Sequence, residues 1–289
     1  MFGTNGLKTV LLLGGLSGLL ILIGDLLGGT SGMVMAFAMA IIMNAGSYWF
    51  SDRIALAMAG AREVSREEAP ELHAIVEDLC ARAGIPKPRV AIIDSPAPNA
   101  FATGRDPNHA VVAATTGILQ LLNYRELQGV LGHELGHVRN RDILISSIAA
   151  TIAGAITMIA QWAQWGAMFG GFGRQSDDES PSGLGLVGGL ILMILAPIAA
   201  MIIQMAVSRA REYSADESGA RLVGDPEALA SALEKLEYYS KQVPLQVSPA
   251  ASHLFIVKPF TGLSMQELFS THPPIEQRVA RLRQMARGH

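Results

Sequence analysis

The chain of 289 residues is half hydrophobic and only 16% charged, with a positive mean hydropathy, which is too apolar for an ordinary soluble enzyme. Its 22 Lys and Arg against 25 Asp and Glu leave a net charge of −3, and this excludes the strongly basic surface that grips nucleic acid. The one cysteine, Cys80, excludes an internal disulfide, argues against a Cys-based metal site and reads as a small hydrophobe on a helix.

Two apolar stretches open the chain, from about Val10 to Leu27 and from about Met33 to Phe50, each long enough to cross a bilayer. Only Gly28-Gly29-Thr30-Ser31-Gly32 separates them, so they predict a hairpin, and its second limb ends in the interfacial rings Tyr48-Trp49-Phe50. A secretory signal is the rival for the first limb, but no A-x-A-like site follows and a second apolar span begins at once. From Ser51 to Asp142 the composition is that of a soluble α/β unit. Ser65-Arg66-Glu67-Glu68 predicts a capping box opening a helix that reaches Ala83 and stops at Gly84. Arg89–Asp94 reads as a strand, Asn99–Thr103 as another, and His109–Thr115 as a third, with the turn residues Gly104–Asn108 between the last two. The exposed edge of such a sheet can hold an extended peptide by main-chain hydrogen bonds; the alternative is a plain hairpin that supports the core.

Asn123 caps the next helix, which Tyr124-Arg125-Glu126-Leu127-Gln128 opens and in which Gly129, Gly132 and Gly136 permit close approach by other groups. Inside it stands His133-Glu134-Leu135-Gly136-His137. Residues four apart stack on one face of a helix, so both imidazoles can grip a single ion. Glu134 follows the first by one position, about 100° round the helix, within reach of a water activated at that ion. This is the H-E-x-x-H pattern, in which zinc makes the nucleophile and the glutamate takes its proton. The bland alternative is a pair of surface histidines on an amphipathic helix.

A third apolar stretch begins at about Ile143 and fades near Trp165, and a fourth runs from about Leu184 to Val207, with the polar Arg174–Ser180 between them. Frequent Gly, and Thr151 and Gln161 in the third, leave buried core helices as the alternative. Lys8, Arg53, Arg62, Arg139, Arg141, Arg209 and Arg211 flank the ends that share a side with Ser51–Asp142. The opposite loop carries Asp177, Asp178 and Glu179 with only Arg174, so the positive-inside rule places both termini and the polar unit in the cytoplasm. Beyond Ser208 the chain is polar again. Asp225-Pro226 caps and opens a helix to about Lys241, a short helix follows at Ser264–Phe269, and Thr271-His272-Pro273-Pro274 precedes a basic helix, Ile275–Arg287.

Two histidines leave a catalytic zinc short of a third protein ligand. In Ser208-Arg209-Ala210-Arg211-Glu212-Tyr213-Ser214-Ala215-Asp216, Glu212 and Asp216 are four apart and share a face. Glu212 could bind the metal while Asp216 orients a ligand histidine through its second ring nitrogen. Glu71, Glu126 and Glu217 compete, and spacing does not exclude them.

These motifs in this order resemble the HtpX family: His133-Glu134-Leu135-Gly136-His137 followed by Val-Arg-Asn-Arg-Asp, then residues 208–216, then Ser270-Thr271-His272-Pro273-Pro274. That family comprises membrane-bound zinc metalloproteases, more distantly similar to the CAAX prenyl proteases and a mitochondrial inner-membrane stress protease. The resemblance implies one zinc ion per chain on His133, His137 and Glu212, with Glu134 as general base and Asp216 behind the ligands. It implies His272 as a second catalytic residue steadying the oxyanion, and the Asn99-Ala100-Phe101 stretch as a peptide contact, with Arg278 a partner for substrate or for Glu212. The implied substrates are misfolded or damaged membrane proteins cut on the cytoplasmic side of the inner membrane, in quality control under stress. His73, His109, His253 and His289 match no motif and read as surface or packing residues. The whole is then a mainly α membrane protein with four transmembrane helices in two hairpins, at 1–50 and 143–207, plus a cytoplasmic α+β zincin-like metalloprotease domain with a small sheet. That domain is assembled from 51–142, which carries the zinc helix, and 208–289, which carries the third ligand. A catalytically silent membrane holdase is the alternative. An intramembrane protease is disfavoured by the charges that flank the histidines, Tyr124-Arg125-Glu126 before them and Arg139-Asn140-Arg141 after.

Overall fold

The computed structural model describes residues 4–148, 209–243, 254–257 and 273–287. Most of the third apolar stretch, all of the fourth, the Ser264–Phe269 helix and His272 lie outside the described residues.

The apolar N-terminus forms α1, Thr4–Trp49, which breaks at Gly29 (φ 57°, ψ −148°), a conformation that a residue with a Cβ rarely adopts. Asn44 Nδ2 donates to Ser17 Oγ at 2.8 Å across a separation of 27 residues. A continuous helix would hold residues so spaced about 40 Å apart, so the chain folds back at Gly29. Among the described residues, Gly29–Trp49 is a helix long and apolar enough to cross a membrane, and only 6% of its apolar window is buried. Val34, Met35, Phe37, Ile41 and Ile42 are all exposed along it, so it is not the core helix of a soluble protein. α2, Ser51–Ala59, follows at once and ends at Gly60 (φ 65°).

Four strands form one mixed sheet, β1 (Ala61–Glu63), β2 (Arg89–Ile93), β3 (Ala100–Gly104) and β4 (Ala110–Thr115), in the order β1-β2-β4-β3. β2 and β4 are parallel, with β1 and β3 added antiparallel as the two edges. β1 is a strand the sequence does not announce: three residues, Ala-Arg-Glu, carry no readable period. The helix expected to open at Ser65 instead begins at Pro70 as α3, Pro70–Ala83. Ser65 N–H does donate to Glu68 Oε2 at 2.8 Å, but this closes a separate turn. Ala69 precedes a proline, whose ring bars it from the helical region, and it sits at φ −140°, ψ 63°. The far end is as expected, with Gly84 left-handed at φ 65°.

α4 (Thr116–Leu121) leads to α5 (Tyr124–Arg139), which runs through the centre of the molecule. Its start is a complete capping box: Asn123 Oδ1 accepts from Glu126 N–H and Glu126 Oε2 from Asn123 N–H, both at 3.0 Å. Leu127, Val130, Leu131, Leu135 and Val138 are buried in the main core, each worth roughly 1.5–3 kcal/mol relative to exposure. Against α5 pack α6 (Arg209–Val223) and α7 (Pro226–Ser240), and α8 (Ile275–Arg287) packs in turn on α7 and α6. Asp225 caps α7 through the Ala228 N–H at 3.2 Å, with Pro226 in its first turn.

Candidate metal centre

The glycines of α5 set how near the neighbouring helices come. A Cβ on Gly129 would lie 2.7 Å from the Leu229 backbone of α7, and one on Gly136 would lie 3.1 Å from the Ala215 carbonyl of α6. At the closest crossing, a Cβ on Gly219 of α6 would lie 2.6 Å from His133 N. This backbone-to-backbone contact carries Glu212 and Asp216, both buried, to the two histidines of α5.

One ligand atom from each of His133, His137 and Glu212 falls within 4.8 Å of the others. The two Nε2 atoms are 3.2 Å apart, His137 Nε2 is 3.6 Å from Glu212 Oε1, and His133 Nε2 is 3.9 Å from Glu212 Oε2. Tetrahedral zinc with its usual bond lengths has ligand–ligand edges of about 3.3 Å, so the donor set fits that ion. The competing carboxylates lie elsewhere. Glu126 is held in the capping box and by Ser231 and Lys235, both at 2.7 Å, while Glu71 is exposed on α3 and Glu217 pairs with Arg221 on the outer face of α6.

Each imidazole turns its other nitrogen to a carboxylate. His133 Nδ1 lies 2.9 Å from Asp216 Oδ1, and the fully buried Arg278 donates to Asp216 from Nε at 2.8 Å and from Nη2 at 2.6 Å. Arg278 therefore serves the carboxylate behind His133, with Glu212 at 3.9 Å a secondary neighbour. His137 Nδ1 lies 3.4 Å from Oδ2 of Asp142, the last residue of the Val-Arg-Asn-Arg-Asp stretch, to which the sequence assigned no role.

Burial depresses His133 to about 4, a pull that Asp216 opposes. Burial would depress His137 too, but the hydrogen bond to Asp142 and the charges of Glu212 and Glu134 outweigh it and raise it to about 9. Asp216 is held well below the usual carboxylate range by Arg278 and His133 in spite of its burial. Glu134 is 2% exposed, and desolvation pushes its carboxyl up to about 7 although the Ala102 backbone N–H and His137 pull it down. A carboxyl poised near neutral pH beside a metal triad can accept and return a proton.

The expected peptide contacts sit against the chain itself. Asn99 is buried, with Nδ2 donating to the Val257 carbonyl at 2.6 Å and Oδ1 accepting from Val257 N–H at 3.2 Å. The Ala100 carbonyl accepts from Ile256 N–H at 3.1 Å, and Phe101 packs edge-on against Phe255 at 5.1 Å. Leu254–Val257 thus lies along the start of the β3 edge. His73 is a buried packing residue, with a ring nitrogen donating to the Val64 carbonyl at 3.0 Å, and the exposed His109 pairs with Asp106.

The chain matches the family model described as Peptidase family M48 over residues 66–286. A protein of Syntrophobacter fumaroxidans named Protease HtpX homolog is 56% identical, with 96% of this chain and 98% of that one covered. Proteins of the same name from Desulforapulum autotrophicum and Thermococcus kodakarensis are each 55% identical, covering 96% and 97% of this chain and 89% and 96% of their own. Among solved structures, the crystal structure of S. mikatae Ste24p is similar in fold, with a TM-score of 0.50 at 20% identity. The match covers 96% of this chain and 64% of that one.

Proposed function

The chain belongs to peptidase family M48, and from that premise we propose that it is a zinc-dependent endopeptidase whose metal is held by His133, His137 and Glu212. The observation that carries this reading is the meeting of three ligand atoms within 4.8 Å beside a buried carboxyl, Glu134, raised to about 7. A zinc ion held by these three residues would supply a Lewis acid and make a water acidic enough to lose its proton near neutral pH. Glu134 takes that proton and later returns it to the departing amine, tasks that suit an acid poised between its two forms. Asp216, pinned by Arg278, keeps the His133 Nε2 turned toward the metal. His272 is assigned to the developing oxyanion on its motif alone.

The substrates on this reading are polypeptides, chiefly misfolded or damaged membrane proteins, cut on the cytoplasmic side of the inner membrane as part of stress-linked quality control. The β3 edge is kept as the peptide's track where Ala102 stands next to Glu134, while at its start Asn99, Ala100 and Phe101 already hold Leu254–Val257 in the place a peptide would take. The exposed apolar face of Gly29–Trp49 supports membrane insertion, and the basic residues beside Ser51–Asp142 support the orientation. Two hairpins, at 1–50 and 143–207, would then carry a protease domain made of 51–142 and 208–289. A silent holdase has no use for a neutral-range carboxyl next to three metal donors.

The test is zinc content and casein cleavage of the detergent-purified protein beside Glu212→Ala and Glu134→Gln. Wild type should hold about one zinc per chain and cut; Glu212→Ala should lose both. Glu134→Gln should keep the metal and lose turnover by roughly 10²–10⁴-fold. Zinc retained by Glu212→Ala moves the third ligand elsewhere, and full activity in Glu134→Gln ends the general-base assignment.

A further inference from the structure

We propose that Asp142 is the positioning residue for His137, put in place by the way α5 ends. The end of α5 is a Schellman turn. Asn140 is the C-cap, Arg141 follows in the left-handed region at φ 58°, Arg141 N–H bonds the Val138 carbonyl at 3.1 Å, and Asp142 N–H bonds the His137 carbonyl at 2.9 Å. This turn folds the residue after the left-handed one back over the residue three before the C-cap, where the pair normally makes an apolar contact. In this chain the pair is Asp142 and His137, and the contact is polar: Oδ2 to Nδ1 at 3.4 Å. Asp142 is 4% exposed, so its carboxylate is held in the interior. With Nδ1–H given to Asp142, the His137 lone pair stays on Nε2, which faces His133 Nε2 at 3.2 Å and Glu212 Oε1 at 3.6 Å.

The backbone supplies an independent observation. The left-handed position is ordinarily glycine, yet Arg141 occupies it with its side chain exposed. Strain kept at such a point is characteristic of segments that serve a site. The two histidines are therefore fixed in the same manner by different routes. His133 takes its carboxylate from a distant helix through Asp216, and His137 takes one from the end of its own helix.

The proposal rests on His137 as a metal ligand, so its test separates the two. Full-length protein in detergent is stripped of metal, and zinc affinity is measured by competition with a chromophoric chelator; cobalt(II) is then loaded and its visible ligand-field bands recorded. Asp142→Ala should weaken zinc about 10–100-fold and shift the cobalt bands. Asp142→Asn, whose Oδ1 still accepts the imidazole N–H, should keep most of the affinity, and Arg141→Gly, which keeps the turn without strain, should match wild type. Wild-type zinc affinity in Asp142→Ala, with zinc lost in His137→Ala, overturns the positioning role and leaves the ligand standing. Wild-type affinity in His137→Ala overturns both. Where Asp142→Ala lacks the helical circular dichroism of wild type, Arg141→Val decides: it retains the carboxylate but disfavours the turn, so it should lose about tenfold in affinity, and an unchanged value overturns the proposal.

Discussion

His133 and His137 sit four residues apart on one helix and titrate in opposite directions, because burial dominates the first and surrounding carboxylates dominate the second. With His137 at about 9, the metal-free site carries a proton on that ring at neutral pH, and zinc must displace it. Zinc affinity is therefore expected to rise about tenfold per pH unit from neutrality and level off above about 9, with about one proton released at pH 7. Calorimetric titration in two buffers of different ionisation heat reads that proton. The same shifts act on the stability of the metal-free protein with opposite signs. The contribution of His137 is complete below its ordinary value of 6.5 and is lost as pH rises toward about 9. That of His133 is lost as pH falls from 6.5 toward about 4, because the unfolded ring takes a proton that the buried ring refuses. Arg278 belongs to the same scale. Arg278→Ala would strand the buried Asp216 carboxylate and is expected to destabilise by about 3–5 kcal/mol in urea unfolding of the solubilised protein. At this scale the sequence was legible where spacing alone brings groups together: four-residue intervals placed the histidines on one face of α5 and Glu212 beside Asp216 on α6. Asp142 was not, because the glycine that usually flags a Schellman turn is Arg141 here. Nor was the partner of Arg278, which depends on how α8 meets α6.

Helices with chemical punctuation were legible at their ends. Asn123 starts α5, Asp225-Pro226 starts α7, Ile275–Arg287 follows two prolines, and Gly84 stops α3. Legibility failed at Ser65, where a genuine capping pair was present but Pro70 forbade the helix to run through Ala69, and at β1, which owes its existence to pairing with β2. Packing between elements is governed by the glycine contacts. Since a Cβ on Gly219 would strike the backbone at His133 N, Gly219→Ala must push α6 away from α5 and take Glu212 with it. The expected result is destabilisation of about 1–3 kcal/mol together with zinc affinity weakened at least tenfold, helical circular dichroism being kept. Gly132 faces the same crossing from α5, where a Cβ would meet the stiff Val223 side chain at 2.8 Å and the Gly219 carbonyl at 3.2 Å. Wild-type zinc affinity in Gly219→Ala would show that the crossing is not what positions Glu212.

At the scale of the molecule, the foot of the apolar hairpin is tied to the catalytic unit at defined points. The Arg105 guanidinium lies 4.9 Å from the centre of the Trp49 ring and donates to the Trp49 carbonyl at 3.3 Å, just past the end of β3. Arg89 bridges Asp52 of α2 and Glu63 of β1. The first turn after α5 grips the same strand, Ser147 Oγ lying 2.7 Å from Thr103 Oγ1 and accepting from Gly104 N–H at 3.2 Å. With Gly29–Trp49 exposing its apolar side chains, the chain is expected to float with liposomes and resist alkaline carbonate extraction. Release by carbonate would rule out insertion. The split of the metal donors along the chain has a further consequence for biosynthesis. His133, Glu134 and His137 leave the ribosome before the apolar residues 143–207, and Glu212 leaves after them. A nascent chain holding only the first group owns a base and two nitrogens but no closed ion site, so it cannot cut its neighbours at the translocon. On the proposed topology, the enzyme gains its activity only once the second hairpin has been laid into the bilayer and α6 has docked on α5. Order of synthesis then acts as a safety catch that needs no propeptide.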